Sequence, residues 1–174
     1  REVRVLDPGR VSRTVKESIA EGQTVEVLVE SPSFLSGGTD AAILRIAQVP
    51  APSLGFSLRE LSVGDRVYIS GYPATAETGQ RSSGEVTFTG GVVSAIRLTP
   101  EGKKIYQTDA KVSEGSSGGP VLNEEGQVVG MVTFQTDALE RKSGDNFDFA
   151  QAIQGVSDMA LASRIEPSEG VFVS

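Results

Sequence analysis

Short runs of apolar and β-branched residues recur along the chain, separated by glycine, proline, aspartate and asparagine. That rhythm predicts strands joined by turns. Val3–Leu6 reads as a strand closed by the turn signal Asp7-Pro8-Gly9. Ser12 is placed to cap a short helix running to Ala20, ahead of Gly22. Thr24–Val29 alternates as a strand, Ser31–Gly38 reads as a loop, and Ala41–Ile46 is a strand with Asp40 at its start. Pro50–Leu58, with Pro50, Pro52 and Gly55, reads as a linker. Beyond it Arg66–Ser70, Glu85–Thr89, Gly91–Ile96 and Lys104–Thr108 are strand-like. Val121–Leu122 and Val128–Phe134 form a hairpin around Asn123–Gly126, and Phe147–Ala150 adds one more strand. Ser157–Ile165 is the best helix, with Met159, Leu161, Ala162 and Ile165 on one apolar face. About three strands precede the linker and about six follow it, so the second half looks complete and the first half-sized.

Composition supports the same picture. Twenty glycines, few aromatics and recurrent β-branched residues favour an all-β fold, and 174 residues suffice for one domain or two small lobes. A formal net charge of −7 argues against nucleic acid or an anionic membrane as partner. No apolar run approaches the roughly 18 residues of a membrane span, and Arg1-Glu2-Val3-Arg4 is not a signal peptide. With no cysteine there is neither a disulfide nor a thiolate nucleophile, and with no histidine either, no metal or cofactor is expected.

One segment carries candidate chemistry. In Gly115-Ser116-Ser117-Gly118-Gly119-Pro120 the glycines permit a sharp bend that lifts one hydroxyl outward and turns amides toward a developing negative charge. A plain Gly/Ser surface turn is the alternative. Against that alternative, the segment is set tightly between the strand ending in Tyr106–Ala110 and the apolar Pro120–Leu122. A serine hydroxyl needs a base, the usual base is histidine, and this chain has none. Asp40 is either turn chemistry or an acid that orients such a histidine. Gly64–Pro73 and Gly90–Ile96 read as strand-and-turn framework.

In order, Thr39-Asp40-Ala41-Ala42-Ile43-Leu44-Arg45-Ile46, Gly64–Pro73, Gly90–Ala95, Gln107–Ala110 and Gly115–Pro120 resemble the trypsin-like serine proteases, most closely their bacterial HtrA/Deg branch. The resemblance runs from about Thr24 to about Ile153. It implies a two-lobed chymotrypsin-like double β-barrel with a C-terminal helix. The first barrel would be incomplete: residues 1–50 form a partial first lobe, 51–60 the linker, and 61–174 the second lobe with its helix. By resemblance Ser117 is the nucleophile and Asp40 the triad acid, with the oxyanion hole formed by the amides of Gly115, Ser116 and Ser117. The family's histidine precedes its aspartate, and it is expected upstream of Arg1 or on a separate chain. Ser116 replaces the family's usual Asn or Asp, and Asp7–Ala20 is longer than the corresponding hairpin.

The resemblance also implies protein or peptide substrates. Val132, Thr133, Phe134 and Gln135 belong to the strand that pairs with an extended peptide and walls the primary pocket. Lys111, six residues before Ser117, stands where the pocket-base residue lies. Pointing inward it would favour an acidic residue before the scissile bond, and a solvated surface lysine is the alternative. HtrA-type enzymes often carry a PDZ domain, so a further domain, oligomerisation and a periplasmic or extracytoplasmic setting are expectations from resemblance alone. A protease-like peptide-binding module without catalysis is the competing reading.

Overall fold

The computed structural model describes residues 25–32, 37–46, 54–71, 86–112, 116–135, 148–165 and 172–173. The sequence expectations for Val3–Leu6 and Ser12–Ala20 lie outside these residues. The chain divides into two compact units, Leu54–Gly155 and a second drawn from Arg1–Ser53 with Val156–Ser174.

In the larger unit six strands close into an antiparallel barrel: β3 (Arg66–Gly71), β4 (Thr87–Leu98), β5 (Lys104–Thr108), β6 (Pro120–Leu122), β7 (Val128–Gln135) and β8 (Asp148–Ala152), in the order β3-β4-β5-β8-β7-β6. On β3 the inward positions follow the strand period of two, whereas on β7 they lie three apart. Val67 and Ile69 of β3, Val93 of β4, Tyr106 of β5, Val121 of β6, Val129 and Val132 of β7 and Ala150 of β8 pack into one core with Leu61 and Ala110. Val67, Val93, Val121 and Val132 are almost wholly removed from water. Burial of each such side chain stabilises the fold by about 1.5–3 kcal/mol. The end of the linker is tied to this barrel. Phe56 bridges Val128 in parallel, with Ser57 N donating to Val128 O and Val128 N to Gly55 O, at 2.9 and 2.8 Å.

β4 corrects the expectation of two strands at Glu85–Thr89 and Gly91–Ile96. It is one strand of twelve residues running straight through Gly90 and Gly91. The glycines are there for close approach: a Cβ on Gly90 would lie 3.3 Å from the Tyr68 ring, and one on Gly91 only 2.4 Å from Asp109 Oδ1 and Ala110 N. Asp109 Oδ1 also accepts the Val92 amide at 2.7 Å, fixing the chain just before the serine segment.

In the smaller unit β1 (Val25–Glu30) pairs antiparallel with β2 (Ala42–Ile46), and β2 pairs with the two-residue β9 (Phe172–Val173), a strand the sequence pattern did not announce. Ile43 and Leu44 of β2 are buried. The helix α1 spans Gln154–Ala162 and so starts three residues before the expected Ser157. Its buried residue is Val156, while Leu161, expected on the packed face, is largely exposed. The helix stops in a Schellman pattern, with Arg164 N donating to Leu161 O and Ile165 N to Ala160 O, both at 3.0 Å, and Arg164 at φ 55°.

Candidate active site

Ser117 stands at the tip of a tight turn. Gly119 N donates to Ser116 O at 2.9 Å and Gly118 has φ 82°, the pattern of a type II turn with Ser117 at its second position. Only glycine takes such a φ without strain, which is why the residue after the serine is Gly118. β7 pins the turn from one side: Gly118 N donates to Val132 O at 2.8 Å, and Val132 N donates to Gly119 O at 3.0 Å. Held this way, Ser117 is exposed while its neighbour Ser116 is buried. Among the described residues no acceptor partners the Ser117 amide. Gly115, the other glycine of the expected oxyanion hole, lies outside the described residues.

Val132 takes a structural part. Its side chain is in the barrel core and both of its backbone groups are bonded to the turn, so it holds the serine and offers nothing further to a ligand. The next residues of β7 differ. Phe134 and Gln135 pair with Phe149 and Asp148 of β8 on one side, while β6 ends opposite Met131 on the other. Past Val132 that edge has no strand partner among the described residues. Thr133 is half-buried, and its Oγ1 is sealed from water without a hydrogen-bond partner.

Lys111 is exposed, and its carbonyl accepts the Thr89 hydroxyl at 2.9 Å. The next amide, of Val112, donates to Asp148 Oδ2 at 3.1 Å. The segment leading to the serine turn is thus tethered to β4 and β8.

Asp40 belongs to the smaller unit, at the head of β2. Its amide donates to Pro32 O at 2.9 Å, Thr39 N donates to Ser31 Oγ at 2.7 Å, and Ser31 N donates to Ala41 O at 2.9 Å. These bonds hold Asp40 at φ 50°, a left-handed conformation that aspartate tolerates better than most residues. The residue is exposed as a whole, yet partial withdrawal of its carboxyl from water raises the pKa above the ordinary 3.8. Among the described residues no cluster of three potential ligands could hold a metal ion, and no helix is long and apolar enough to cross a membrane.

Gly64–Pro73 reads in the sequence as strand-and-turn framework, and part of that framework bears directly on the serine turn. The end of β3 touches the serine turn: a Cβ on Gly119 would lie 2.4 Å from Ser70 O, and one on Gly71 would lie 3.0–3.1 Å from three atoms of Ser116. A glycine closing the strand was the available signal, since it marks a place where another backbone comes close.

Comparison with known proteins places these features in context. Residues 3–131 match the family model described as a trypsin-like peptidase domain. The chain is 33% identical over 144 residues to serine protease Rv3671c of Mycobacterium tuberculosis, covering 74% of this chain and 34% of that protein. It is 32% identical over 126 residues to serine endoprotease DegS of Escherichia coli, covering 69% and 32% respectively. It therefore spans about a third of the length of these curated relatives. An inactive mutant form of Rv3671c superposes with TM-score 0.61 at 23% identity, over 84% of this chain and 67% of that one. The HtrA-type protease AlgW with a decapeptide also gives 0.61, at 22% identity, over 80% and 40%. The all-β, chymotrypsin-like architecture expected from the sequence is the one found.

Proposed function

Since the chain belongs to the trypsin-like peptidase family, with HtrA-type serine proteases among its relatives, we propose that it is the catalytic part of a serine endopeptidase with Ser117 as nucleophile. Ser117 Oγ attacks the carbonyl carbon of a peptide bond as a histidine takes its proton. The oxyanion formed is met by the Ser117 amide together with those of Gly115 and Ser116. The protonated histidine then gives its proton to the departing amine, leaving an acyl group on Ser117 that water removes. Asp40 holds that histidine in the productive tautomer and balances its charge. The histidine is supplied from outside these 174 residues, which contain none. An extended peptide pairs with the open edge at Thr133–Gln135, while Val132 holds the turn. Lys111, being exposed, fits the solvated surface lysine rather than an inward pocket base.

The observation that carries this reading is the exposed Ser117, whose amide has no partner among the described residues, on a turn bonded at both glycines to one buried residue of β7. The absence of histidine from the chain favours a second reading, a module that binds extended peptides without cutting them.

A fluorophosphonate probe separates the two. The complete protein is expected to be labelled, with labelling abolished in Ser117→Ala. Folded complete protein that takes no label, yet binds extended peptides, would establish the binding module instead.

A further inference from the structure

Gly71 ends β3, well separated in sequence from the serine segment, yet it lies directly against Ser116. A Cβ built on Gly71 would come within 3.0 Å of Ser116 Oγ and 3.1 Å of both its Cα and Cβ. The hydroxyl could rotate away, but the Cα and Cβ are fixed to the backbone, so relief requires the turn itself to shift by a few tenths of an ångström. Its other end cannot follow, because Gly118 and Gly119 are bonded to Val132 and Gly119 is pressed against Ser70 O. A displacement entering at Ser116 therefore tilts the turn about its glycine end and moves Ser117 Oγ and the Ser117 amide together.

We propose that Gly71 is a positioning residue for Ser117: the bare end of β3 is the seat on which Ser116 rests, and its lack of a side chain sets the direction in which the nucleophile points. This rests on the endopeptidase reading. Reaction geometry is sensitive at this scale, since a misplacement of about 1 Å lowers rates roughly a hundredfold. The smaller shift forced by a methyl group is expected to lower them about tenfold.

The test uses the complete protein with three variants, each rate normalised to the folded fraction from thermal unfolding. Gly71→Ala is expected to lower kcat and the rate of fluorophosphonate labelling about tenfold while leaving KM for a peptide substrate unchanged. Adding Ser116→Gly, which deletes two of the three contacting atoms, is expected to recover a large part of that loss. Gly90→Ala, whose methyl would meet the Tyr68 ring at 3.3 Å on the same pair of strands, controls for general strain and is expected to leave labelling unchanged. A Gly71→Ala protein that labels at the wild-type rate, or whose loss merely equals its unfolded fraction, overturns the positioning role and leaves the protease reading standing. So does a loss that Ser116→Gly fails to relieve. Wild-type protein that takes no label overturns both.

Discussion

Asp40 is under two local pressures that its proposed role would explain. Its backbone is left-handed, and its carboxyl is partly withdrawn from water. A carboxyl with a folded pKa above its unfolded value binds protons more tightly in the folded state. It therefore weakens the fold at neutral pH, and the penalty fades as pH falls through the raised pKa and is gone below 3.8. Asn suits the same φ and carries no charge. Asp40→Asn is thus expected to raise Tm at pH 7 and to give no electrostatic gain near pH 3, while peptide hydrolysis by the complete protein falls roughly ten-thousand-fold. A lower Tm at pH 7 would show that the carboxylate makes a stabilising contact in the fold. The aspartate was visible in the sequence ahead of an apolar strand, but its strain was not. That strain comes from bonds made by Pro32, Ser31 and Thr39, and their geometry is set only once the loop has folded back.

Strands were legible at the level of elements, because alternation and turn residues are local signals. Arg66–Gly71, Lys104–Thr108 and the β6–β7 hairpin lie within a residue or two of their expected bounds. The failures arose where a distant partner decides. Gly90 reads as a break between two strands from its neighbours alone, yet the strand is continuous there through pairing with β3, and Tyr68 and Asp109 occupy the space that side chains on Gly90 and Gly91 would have taken. The helix was shifted as well: its buried residue is Val156 in the first turn, ahead of the expected start, whereas the expected apolar face included the exposed Leu161. The end of α1 offers a direct check. Arg164 occupies the left-handed position that glycine fills most readily, so Arg164→Gly is expected to stabilise the protein by about 1 kcal/mol, read as a rise in Tm. An unchanged Tm would mean that the arginine side chain returns what its backbone loses.

For the whole molecule, the unequal halves were foreshadowed by the strand count and barrel closure by the family resemblance alone, since nothing local says that β3 will meet β6 as well as β4. The core residues of the barrel all come from Leu54–Gly155. That segment expressed alone is therefore expected to unfold in a single cooperative thermal transition. A broad, non-cooperative melt would show that the barrel depends on residues outside it. One consequence concerns how a cleavage point would be chosen. The bonds from Val132 to Gly118 and Gly119 place the serine turn beside β7 just where β7 loses its last strand partner on that side among the described residues. A peptide bound at Thr133–Gln135, as proposed, would then be measured from the same backbone that holds Ser117. It keeps its side chains on the same faces only if it slides two residues at a time, about 7 Å per step. β7 would act as a ruler whose zero mark is the nucleophile, selecting the scissile bond first by counting along the backbone and only afterwards by the side chains beside it.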